Sequence, residues 1–406
     1  MRFYERKFKL GLQTEIEEIC TENPRRFWEQ VERLGPGKVK KNIPLEVCSD
    51  DHSITSHANV VLNTWQNDFS SLYSHGRDAA GNFDEEFYRN IELHKQNLEN
   101  NFSDPQFDHN QLLNRDFTFA EVKYAVMKGK NRKATGIDNI PYDVLKHDNI
   151  IDVLLHLFQM CFNSGKIPSV WRKSVILPIP KCRTNDSRMP LNYRGISLLS
   201  VVSKLYSSVL NQRLTTFLDN NSILVDEQNG FLKDRSCQDH VFVLTSIIRN
   251  RLNNDLPTFV TFIDLQKAFY FVDRNVLLYK LLLNDIDGKM YNLISALYSN
   301  ASACVKVNDN YTDWFETVSG VRQGDNLSPT LFDIFINDLA KGIKDLNSGI
   351  QIGDDNVSVL LYADDIAVIA EDEENMQQML DFITEWCKKM AAFDKQNEIT
   401  YCSLQK

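Results

Sequence analysis

Residues 360–369 read LLYADDIAVI, a sequence in which two apolar runs flank a pair of adjacent carboxylates. Apolar and β-branched residues favour strands and aspartate favours turns, so this stretch predicts a hairpin with its turn at 363–365. Adjacent carboxylates repel each other unless a cation lies between them. Because hard divalent cations prefer oxygen ligands, the hairpin tip is a candidate Mg²⁺ site. A plain turn without a metal is the alternative interpretation.

A second stretch, residues 258–264, reads TFVTFID and predicts a strand that ends in Asp264. An aspartate at the end of a strand can point into a crevice beside a second strand. Two-metal phosphoryl transfer uses ions about 3.5 to 4 Å apart, which activate the attacking oxygen and stabilise the leaving one. That chemistry takes at least two carboxylates from separate elements, and Asp264 and Asp364 fit the need. The alternative is that Asp264 caps the helix that follows it.

The rest of the pattern alternates short strands with amphipathic helices and predicts a mixed α/β (α+β) fold with an antiparallel hairpin. The predicted strands are Val175–Ile179, Thr258–Ile263, Ser358–Tyr362 and Ile366–Ile369. The predicted helices are Ile150–Asn163, Val201–Leu218 and Met376–Met390. Another helix is predicted to begin after Thr118, where the threonine hydroxyl and Glu121 can form a capping box.

Residues 1–109 are polar and mostly helical in pattern, and they carry no motif that indicates chemistry. Helices are predicted at 10–20, at 23–34 and within 50–79, with a Gly-Pro-Gly break at 35–37. This part of the chain is therefore predicted to be an extension that precedes the chemical part.

The charge of the chain is unevenly distributed. The 406 residues carry a net charge of −10, which by itself argues against a nucleic-acid partner. However, residues 161–200 hold seven basic residues and one acid, and residues 354–398 hold twelve acids and three lysines. Such stretches suit an enzyme that holds a polyphosphate with one surface and metal ions with another. Two ordinary solvated faces explain the charge pattern equally well.

The cysteines and the apolar runs exclude two other classes of protein. The eight cysteines are scattered without CxxC pairs or histidines at zinc spacing, which predicts reduced thiols in an intracellular protein. The chain opens with MRFYERKFKL and not with an apolar signal segment. No uninterrupted apolar run approaches the roughly 20 residues that a membrane span needs. We therefore predict a globular protein without a membrane partner.

Three motifs, taken in order, resemble those of the reverse transcriptases of non-LTR retrotransposons of the LINE type, in particular jockey-like elements. Asp264 followed by AF at 268–269 resembles motif A, GVRQGDNLSP at 320–329 resembles motif B, and YADD at 362–365 resembles motif C. Similarity to the fingers motifs of this family extends to residues 133–138, 179–181, 192–199 and 227–231. The resemblance implies a right-hand polymerase fold with fingers and palm. It assigns residues 110–406 to the reverse transcriptase domain and residues 1–109 to a helical linker.

The resemblance also implies the roles of particular residues. Asp264 and Asp364 would ligate two Mg²⁺ ions, for which Mn²⁺ can substitute, and Asp365 would assist with weaker coordination. The residues expected to bind the nucleotide are Lys181, Arg194, Leu265, Phe269, Gln323 and Gly324. Among them, Lys181 and Arg194 would grip the triphosphate, and the Phe269 ring would exclude a ribose 2′-hydroxyl. Structural alternatives are a core aromatic for Phe269, an exposed salt-bridge partner for Arg194 and a plain turn for Gly324.

The implied substrates are an RNA template, a DNA primer and deoxynucleoside triphosphates, whereas the sequence says nothing about protein partners. The life cycle of such elements implies that the protein works in the nucleus. The sequence contains no Lys/Arg-rich stretch that resembles a nuclear localisation signal.

Several positions depart from the family pattern. Tyr270 stands where a second aspartate is usual, Asp234 stands in place of a glycine, and Asn326 stands in place of a proline. Thr135 and Gly195 occupy positions where small residues or proline are common. These departures bear on activity more than on fold.

The C-terminal motif departs further from the pattern. After residue 389 the family shows an Asn followed by a Lys that can protonate the leaving pyrophosphate, and the counterparts here are Asp394 and either Asn397 or Glu398. The thumb is also expected to be largely missing. The altered motif and the missing thumb together predict a truncated copy of a retrotransposon. The competing hypothesis is a catalytically decayed or co-opted nucleic-acid-binding remnant with the same fold.

Overall fold

The structure is a computed structural model, and it describes residues 43–48, 53–73, 84–102, 109–129, 134–181, 186–265 and 267–390, together with the backbone of 399–404. The chain divides into two compact units, Met1–Pro44 and Leu45–Lys406, and the elements below belong to the second. The helices predicted at 10–20 and 23–34 lie outside the described residues.

The described α-helices are numbered along the chain. They are α1 (Ala58–Tyr73), α2 (Glu85–Phe102), α3 (Gln111–Asn114), α4 (Phe119–Lys128), α5 (Asp148–Ser164), α6 (Val201–Asn220), α7 (Cys237–Asn253), α8 (Ala268–Phe271), α9 (Arg274–Leu283), α10 (Gly288–Tyr298), α11 (Ser328–Asp345) and α12 (Glu373–Lys389). Short 3₁₀ helices occupy Tyr142–Lys146, Ser169–Arg172 and Pro190–Asn192.

The described strands are numbered in the same way. They are β1 (Val47–Cys48), β2 (Ile54–Thr55), β3 (Lys173–Pro180), β4 (Tyr193–Leu198), β5 (Thr258–Asp264), β6 (Ser302–Val307), β7 (Asn310–Tyr311), β8 (Phe315–Glu316), β9 (Ile350–Ile352), β10 (Asp355–Val357), β11 (Val359–Tyr362), β12 (Asp365–Ala370) and β13 (Ile399–Leu404). The predicted mixed helix and strand composition and the four predicted strands are confirmed.

The first large sheet has five strands in the order β4-β3-β6-β7, with β8 also paired to β6. Strand β3 is antiparallel to β4 and parallel to β6. In the β3–β4 register, Ile179 lies opposite Arg194. This pairing brings Arg194 close to Lys181, which follows β3 directly.

The second large sheet has four strands in the order β11-β12-β5-β13, and each neighbouring pair is antiparallel. The hairpin predicted at 360–369 is confirmed as β11 and β12. Strand β5 lies next to β12, so the two stretches with candidate carboxylates are neighbours. The small β9–β10 and β1–β2 hairpins complete the described strands.

Side-chain alternation gives the second sheet two different faces. Ile263, Ile366 and Val368 point into the main hydrophobic core, which also contains side chains of α5, α6 and α9–α12. Val260 and Ile369 belong to a smaller cluster on the opposite face, where α7 packs. Because side chains along a strand alternate with a period of two, Asp264 and Asp365 lie on that opposite face, away from the main core.

Capping residues and apolar stripes in the sequence explain where several helices begin, end and pack. At the start of α4, Thr118 accepts from the backbone N–H of Glu121, and the Glu121 carboxylate accepts from the backbone N–H of Thr118. The predicted capping box is therefore confirmed. Helix α5 ends at Gly165, whose φ of +64° is a left-handed cap. Helix α12 begins with Asp372 as its cap and buries Met376, Met379, Leu380, Ile383, Trp386 and Cys387 along one stripe.

Helices α1 and α2 lie within the predicted linker and pack inside the second compact unit. The Trp65 ring of α1 contacts Tyr193 of β4 edge-on, with ring centroids 5.1 Å apart. In α2, Lys95 Nζ donates a hydrogen bond to Asn275 Oδ1 at 3.0 Å. The boundary predicted between residues 109 and 110 stays a prediction, and the compact units divide after Pro44.

Two global properties complete the description of the fold. None of the helices in the described ranges combines the length and the apolar character that crossing a membrane requires. Within the described residues, Cys161, Cys237, Cys304 and Cys387 carry free thiols.

Candidate active site

Three aspartates meet where the β11–β12 hairpin lies beside β5. The strand register pairs Asp365 directly with Asp264, and it pairs Tyr362 with Asp365 across the hairpin. Asp364 lies in the turn, where its carbonyl oxygen accepts a hydrogen bond from the backbone N–H of Leu265 at 3.4 Å. Residues separated by a hundred positions in the sequence thus form one acidic cluster.

The carboxylates of this cluster disturb one another. Burial raises the pKa of Asp364, the charges of Asp365 and Asp264 raise it further, and Arg194 acts in the opposite direction. The pKa of Asp365 is raised by burial and by Asp264. The unfavourable interaction among these like charges is the one that a cation between them relieves.

The donor set of the cluster consists of carboxylate oxygens, which are the ligands that Mg²⁺ prefers. Asp264 and Asp365 are exposed side chains, and Asp364 is half-buried. Across the part of the chain that the structure describes, no group of three His, Cys, Asp or Glu side chains is arranged to hold a metal ion. The chemistry of the carboxylate donors fits a hard divalent cation.

A cavity of about 290 Å³ lies on the same face of the second sheet. It is lined by Asp264, Asp365, Phe262 and Tyr362 together with side chains of α7. Both aspartates are thus accessible to a molecule that enters between α7 and the sheet.

A basic group adjoins the acidic one. Burial lowers the pKa of Lys181, and the nearby charges of Lys267 and Arg194 lower it further. Arg194 influences the pKa of both Lys181 and Asp364, so its guanidinium lies near the basic and the acidic residues. Sequence reasoning predicted Lys181 and Arg194 but missed Lys267. The signal for Lys267 was a basic residue three positions after Asp264, on the far side of a turn.

Phe269, the predicted steric gate, is held by two other rings. It stacks on Phe332 of α11 with ring centroids 5.1 Å apart and planes inclined by 9°. Phe231 contacts it edge-on at 6.0 Å. These two contacts give the ring a defined orientation, and the residue is half-buried. Its contact with a nucleotide sugar stays a prediction.

Gln323 and Gly324 lie against β4. The Gln323 carbonyl oxygen accepts a hydrogen bond from the backbone N–H of Ser197 at 2.8 Å. Gly324 has a φ of +116°, and a Cβ at this position would lie 2.9 Å from the Ser197 carbonyl oxygen. Only glycine fits this combination of conformation and space. The two predicted residues are thus close to the strand that carries Arg194.

The remaining predicted nucleotide-binding residue, Leu265, has a fully buried side chain in the main core. Any contact with a nucleotide would therefore involve its backbone. Tyr270, which departs from the family pattern, packs edge-on against Tyr73 of α1 with ring centroids 5.0 Å apart. Its hydroxyl lies beside Gly195, 3.2 Å from where a Cβ of that glycine would be.

The fold and the site together define a class of protein. A mixed α/β domain presents clustered carboxylates on one sheet and a Lys and Arg pair at the end of another, an arrangement suited to binding polyphosphates together with divalent cations. The sequence profile described as reverse transcriptase (RNA-dependent DNA polymerase) matches residues 179–394, which is more than half of the chain. The chain belongs to the reverse transcriptase family.

Individual relatives narrow the resemblance to non-LTR retrotransposons. The probable RNA-directed DNA polymerase from transposon BS of Drosophila melanogaster is 28% identical over 278 residues, which covers 66% of this chain and 30% of that protein. The RNA-directed DNA polymerases from mobile element jockey are 24% identical in Drosophila melanogaster and 26% identical in Drosophila funebris. These alignments cover 67% of this chain and 30% of each jockey protein. The chain thus matches less than a third of the length of these relatives.

Proposed function

We propose that this chain is an RNA-directed DNA polymerase of a non-LTR retrotransposon, which adds deoxynucleotides to a primer 3′-hydroxyl on an RNA template. The observation that carries the proposal is the register that pairs Asp264 with Asp365 beside Asp364, next to the basic group of Lys181 and Arg194. In this assignment the first sheet belongs to the fingers and the second sheet belongs to the palm. A nuclear location is part of the same proposal.

Asp264, Asp364 and Asp365 would hold Mg²⁺ or Mn²⁺. When bound, such ions activate the attacking 3′-hydroxyl and neutralise charge that develops on the phosphates. The role of the chain is to bring carboxylates from β5 and from the hairpin turn to one place. Burial raises the pKa of Asp364 and of Asp365, and neighbouring carboxylates raise it further. A bound cation would offset both effects because it stabilises the charged forms, so the raised pKa values support this role.

The other predicted residues would bind and orient the nucleotide. Lys181 and Arg194 would neutralise the triphosphate, where Arg offers a planar fork and Lys a point charge. The Phe269 ring, which Phe332 holds in one orientation, would contact the sugar and exclude a 2′-hydroxyl. Gln323 and Gly324 would line the position of the incoming base, because Gly324 lets the backbone approach closely.

A second candidate function is a nucleic-acid-binding remnant with the same fold and without catalysis. Tyr270 favours it, because this residue stands where a second aspartate is usual and its ring packs on Tyr73. The two candidates differ in one property, since a remnant would bind RNA without extending a primer.

The test is primer extension on poly(rA)/oligo(dT) with Mg²⁺ or Mn²⁺, in which the native chain is compared with its Asp364→Asn variant. The proposal expects extension by the native chain and none by the variant, while circular dichroism shows that both are folded. A folded native chain that binds the substrate without extending it would favour the remnant. Equal extension by the two proteins would indicate a contaminating polymerase.

A further inference from the structure

The turn that carries Asp364 has a strained backbone. Ala363 has a φ of +59°, in the left-handed region that residues with a Cβ rarely adopt. Ala363 is buried, and its neighbours Tyr362 and Asp365 form the last pair of the hairpin. A conformation of this kind persists when the surrounding structure holds it in place.

One buried side chain, Gln228, stabilises this conformation of Ala363. The Oε1 atom of Gln228 accepts hydrogen bonds from the backbone N–H groups of Ala363, at 3.0 Å, and Gly230, at 2.7 Å. Gln228 is 2% exposed, so water does not compete for these bonds. Its Nε2 atom has no hydrogen-bond partner among the residues that the structure describes. The side chain therefore acts on the turn through its oxygen.

The backbone around Gln228 is fixed to the hairpin. The N–H of Leu361 donates to the Glu227 carbonyl oxygen at 2.8 Å, and the N–H of Asn229 donates to the Leu361 carbonyl oxygen at 2.9 Å. A Cβ on Gly230 would lie 2.2 Å from the Ala363 nitrogen, so these two backbones are in direct contact. The Gln228 oxygen is thus held at one position relative to the turn.

We infer that Gln228 is a positioning residue that sets the location of the Asp364 carboxylate by holding Ala363 in its left-handed conformation. This inference rests on the proposed function, because metal binding by Asp364 is what gives its location a chemical consequence. Without the Gln228 oxygen, the buried N–H of Ala363 lacks an acceptor, and the turn relaxes toward a conformation with negative φ. The carboxylate on the next residue then moves away from Asp264.

The experiment compares Gln228→Met with Glu227→Gln in the full chain. Methionine keeps the length of the side chain and removes the acceptor oxygen. Glu227 is the matched control, because its carboxylate pairs with Lys344 Nζ at 2.6 Å and not with the turn. The first measurement is a Mn²⁺ titration in the presence of poly(rA)/oligo(dT) and non-hydrolysable dTTP. Electron paramagnetic resonance reports how much Mn²⁺ is bound. The second measurement separates kcat from the KM for dTTP.

In Gln228→Met, the Mn²⁺ affinity and kcat are expected to fall by roughly 10- to 100-fold, as happens when partners that orient metal ligands are removed. The KM for dTTP should stay near the native value, because the triphosphate contacts lie on other elements. Glu227→Gln should match the native protein in both measurements. If Gln228→Met does not fold, Gln228→Asn withdraws the oxygen while keeping the amide, and the same loss of Mn²⁺ affinity is expected.

Native Mn²⁺ affinity and native kcat in a folded Gln228 variant would overturn the inference, even if its melting temperature fell. A native chain that never extends a primer would refute the proposed function. In that case the Mn²⁺ titration still decides the role of Gln228, because it does not depend on turnover.

Discussion

Tyr270 and Asp234 both depart from the reverse transcriptase pattern, and the structure gives each departure a different consequence. The Tyr270 ring occupies the space beside Gly195 and Tyr73, so it contributes to packing between motif A, α1 and β4. Asp234 has a φ of +59°, a conformation that glycine adopts without strain. The first departure replaces a carboxylate with a ring that packs against its neighbours, whereas the second places a residue with a Cβ in a conformation that strains the backbone.

The left-handed conformation of Asp234 predicts that Asp234→Gly stabilises the protein by up to about 1 kcal/mol, because glycine relieves the Cβ strain. Urea denaturation measures the free energy of unfolding. The control is Asp309→Gly, an exposed position outside the left-handed region, where glycine should destabilise by roughly 0.5 to 1 kcal/mol. Destabilisation at both positions would contradict the assignment of strain to Asp234.

A second prediction at the scale of single residues concerns the buried carboxyl group of Asp333 in α11. Its side chain is 1% exposed, and within the described ranges neither carboxylate oxygen has a hydrogen-bond partner. Burial raises its pKa well above the ordinary value. The folded state therefore binds the proton more tightly than the unfolded state, and stability falls as the pH rises from the unfolded pKa through the folded one. At neutral pH, Asp333→Asn should stabilise the protein by roughly 1 to 3 kcal/mol.

Urea denaturation at several pH values between 4 and 8 tests this expectation. The native chain should lose stability with rising pH relative to Asp333→Asn. The control on the same helix is Asp338→Asn, because Asp338 accepts hydrogen bonds from Lys280 Nζ at 2.8 Å and Trp386 Nε1 at 3.2 Å. That variant should destabilise the protein, and the same sign for both variants would refute the account.

At the scale of elements, α4 and α6 are joined by a buried ion pair. Arg213 of α6 is 2% exposed, and its Nε donates to Glu121 Oε1 at 2.8 Å. The guanidinium also lies 4.3 Å from the centroid of the Phe117 ring. Burial acts to raise the pKa of Glu121, but hydrogen bonds from Arg213 and Thr118 outweigh it and lower the pKa to about 2. Glu121, which completes the capping box of α4, thus also joins that helix to α6.

Removing one partner of this pair leaves a buried charge, so Glu121→Gln should destabilise the protein by roughly 3 kcal/mol at neutral pH. Because the pKa is lowered from 4.5 to about 2, the stabilisation is present above pH 4.5 and is lost as the pH falls toward 2. Thermal melts between pH 2 and 7 should therefore converge for the two proteins at the acid end.

The control is Lys123→Met, which removes the exposed ion pair between Lys123 of α4 and Asp148 of α5 and should cost less than about 1 kcal/mol. Equal losses in Lys123→Met and Glu121→Gln would show that burial does not set the strength of the pair.

At the scale of the whole molecule, the N-terminal helices are integral to the second compact unit. The buried side chains of α1 are Val61, Trp65, Phe69, Leu72 and Tyr73, and Trp65 and Phe69 are fully buried. Phe69 packs so closely on β4 that a Cβ on Gly195 would lie 2.7 Å from its ring. The end of α1 is attached near motif B, where Ser319 Oγ donates to the carbonyl oxygens of Tyr73 at 3.0 Å and Tyr270 at 3.1 Å.

A chain that begins at residue 110 is therefore expected to unfold at a much lower temperature than a chain that begins at Leu45. The shorter chain loses the Trp65 and Phe69 rings, and truncating one such ring costs roughly 3 to 5 kcal/mol in a core. Calorimetry of the two truncated chains measures the difference. Equal melting temperatures would show that the predicted boundary between 109 and 110 also divides the molecule physically.

The sequence by itself determined the local elements and the candidate chemistry. The β11–β12 hairpin, the strand before Asp264 and the capping box at Thr118 were predictable, because turn preference, alternation and capping act within a few residues. The ordered motifs were enough to indicate the reverse transcriptase family. They assigned a role to Lys181 and Arg194 without indicating how these residues meet the aspartates.

The tertiary structure decided which of these residues share one site. The register that pairs Asp264 with Asp365, the approach of Lys267 to Lys181 and the hydrogen bond from Ala363 to Gln228 each join distant positions. The sequence contained no periodicity or spacing for these contacts, because they depend on how two sheets and a buried loop pack. Local preference fixed the elements, and the packing of non-local side chains fixed the geometry of the site.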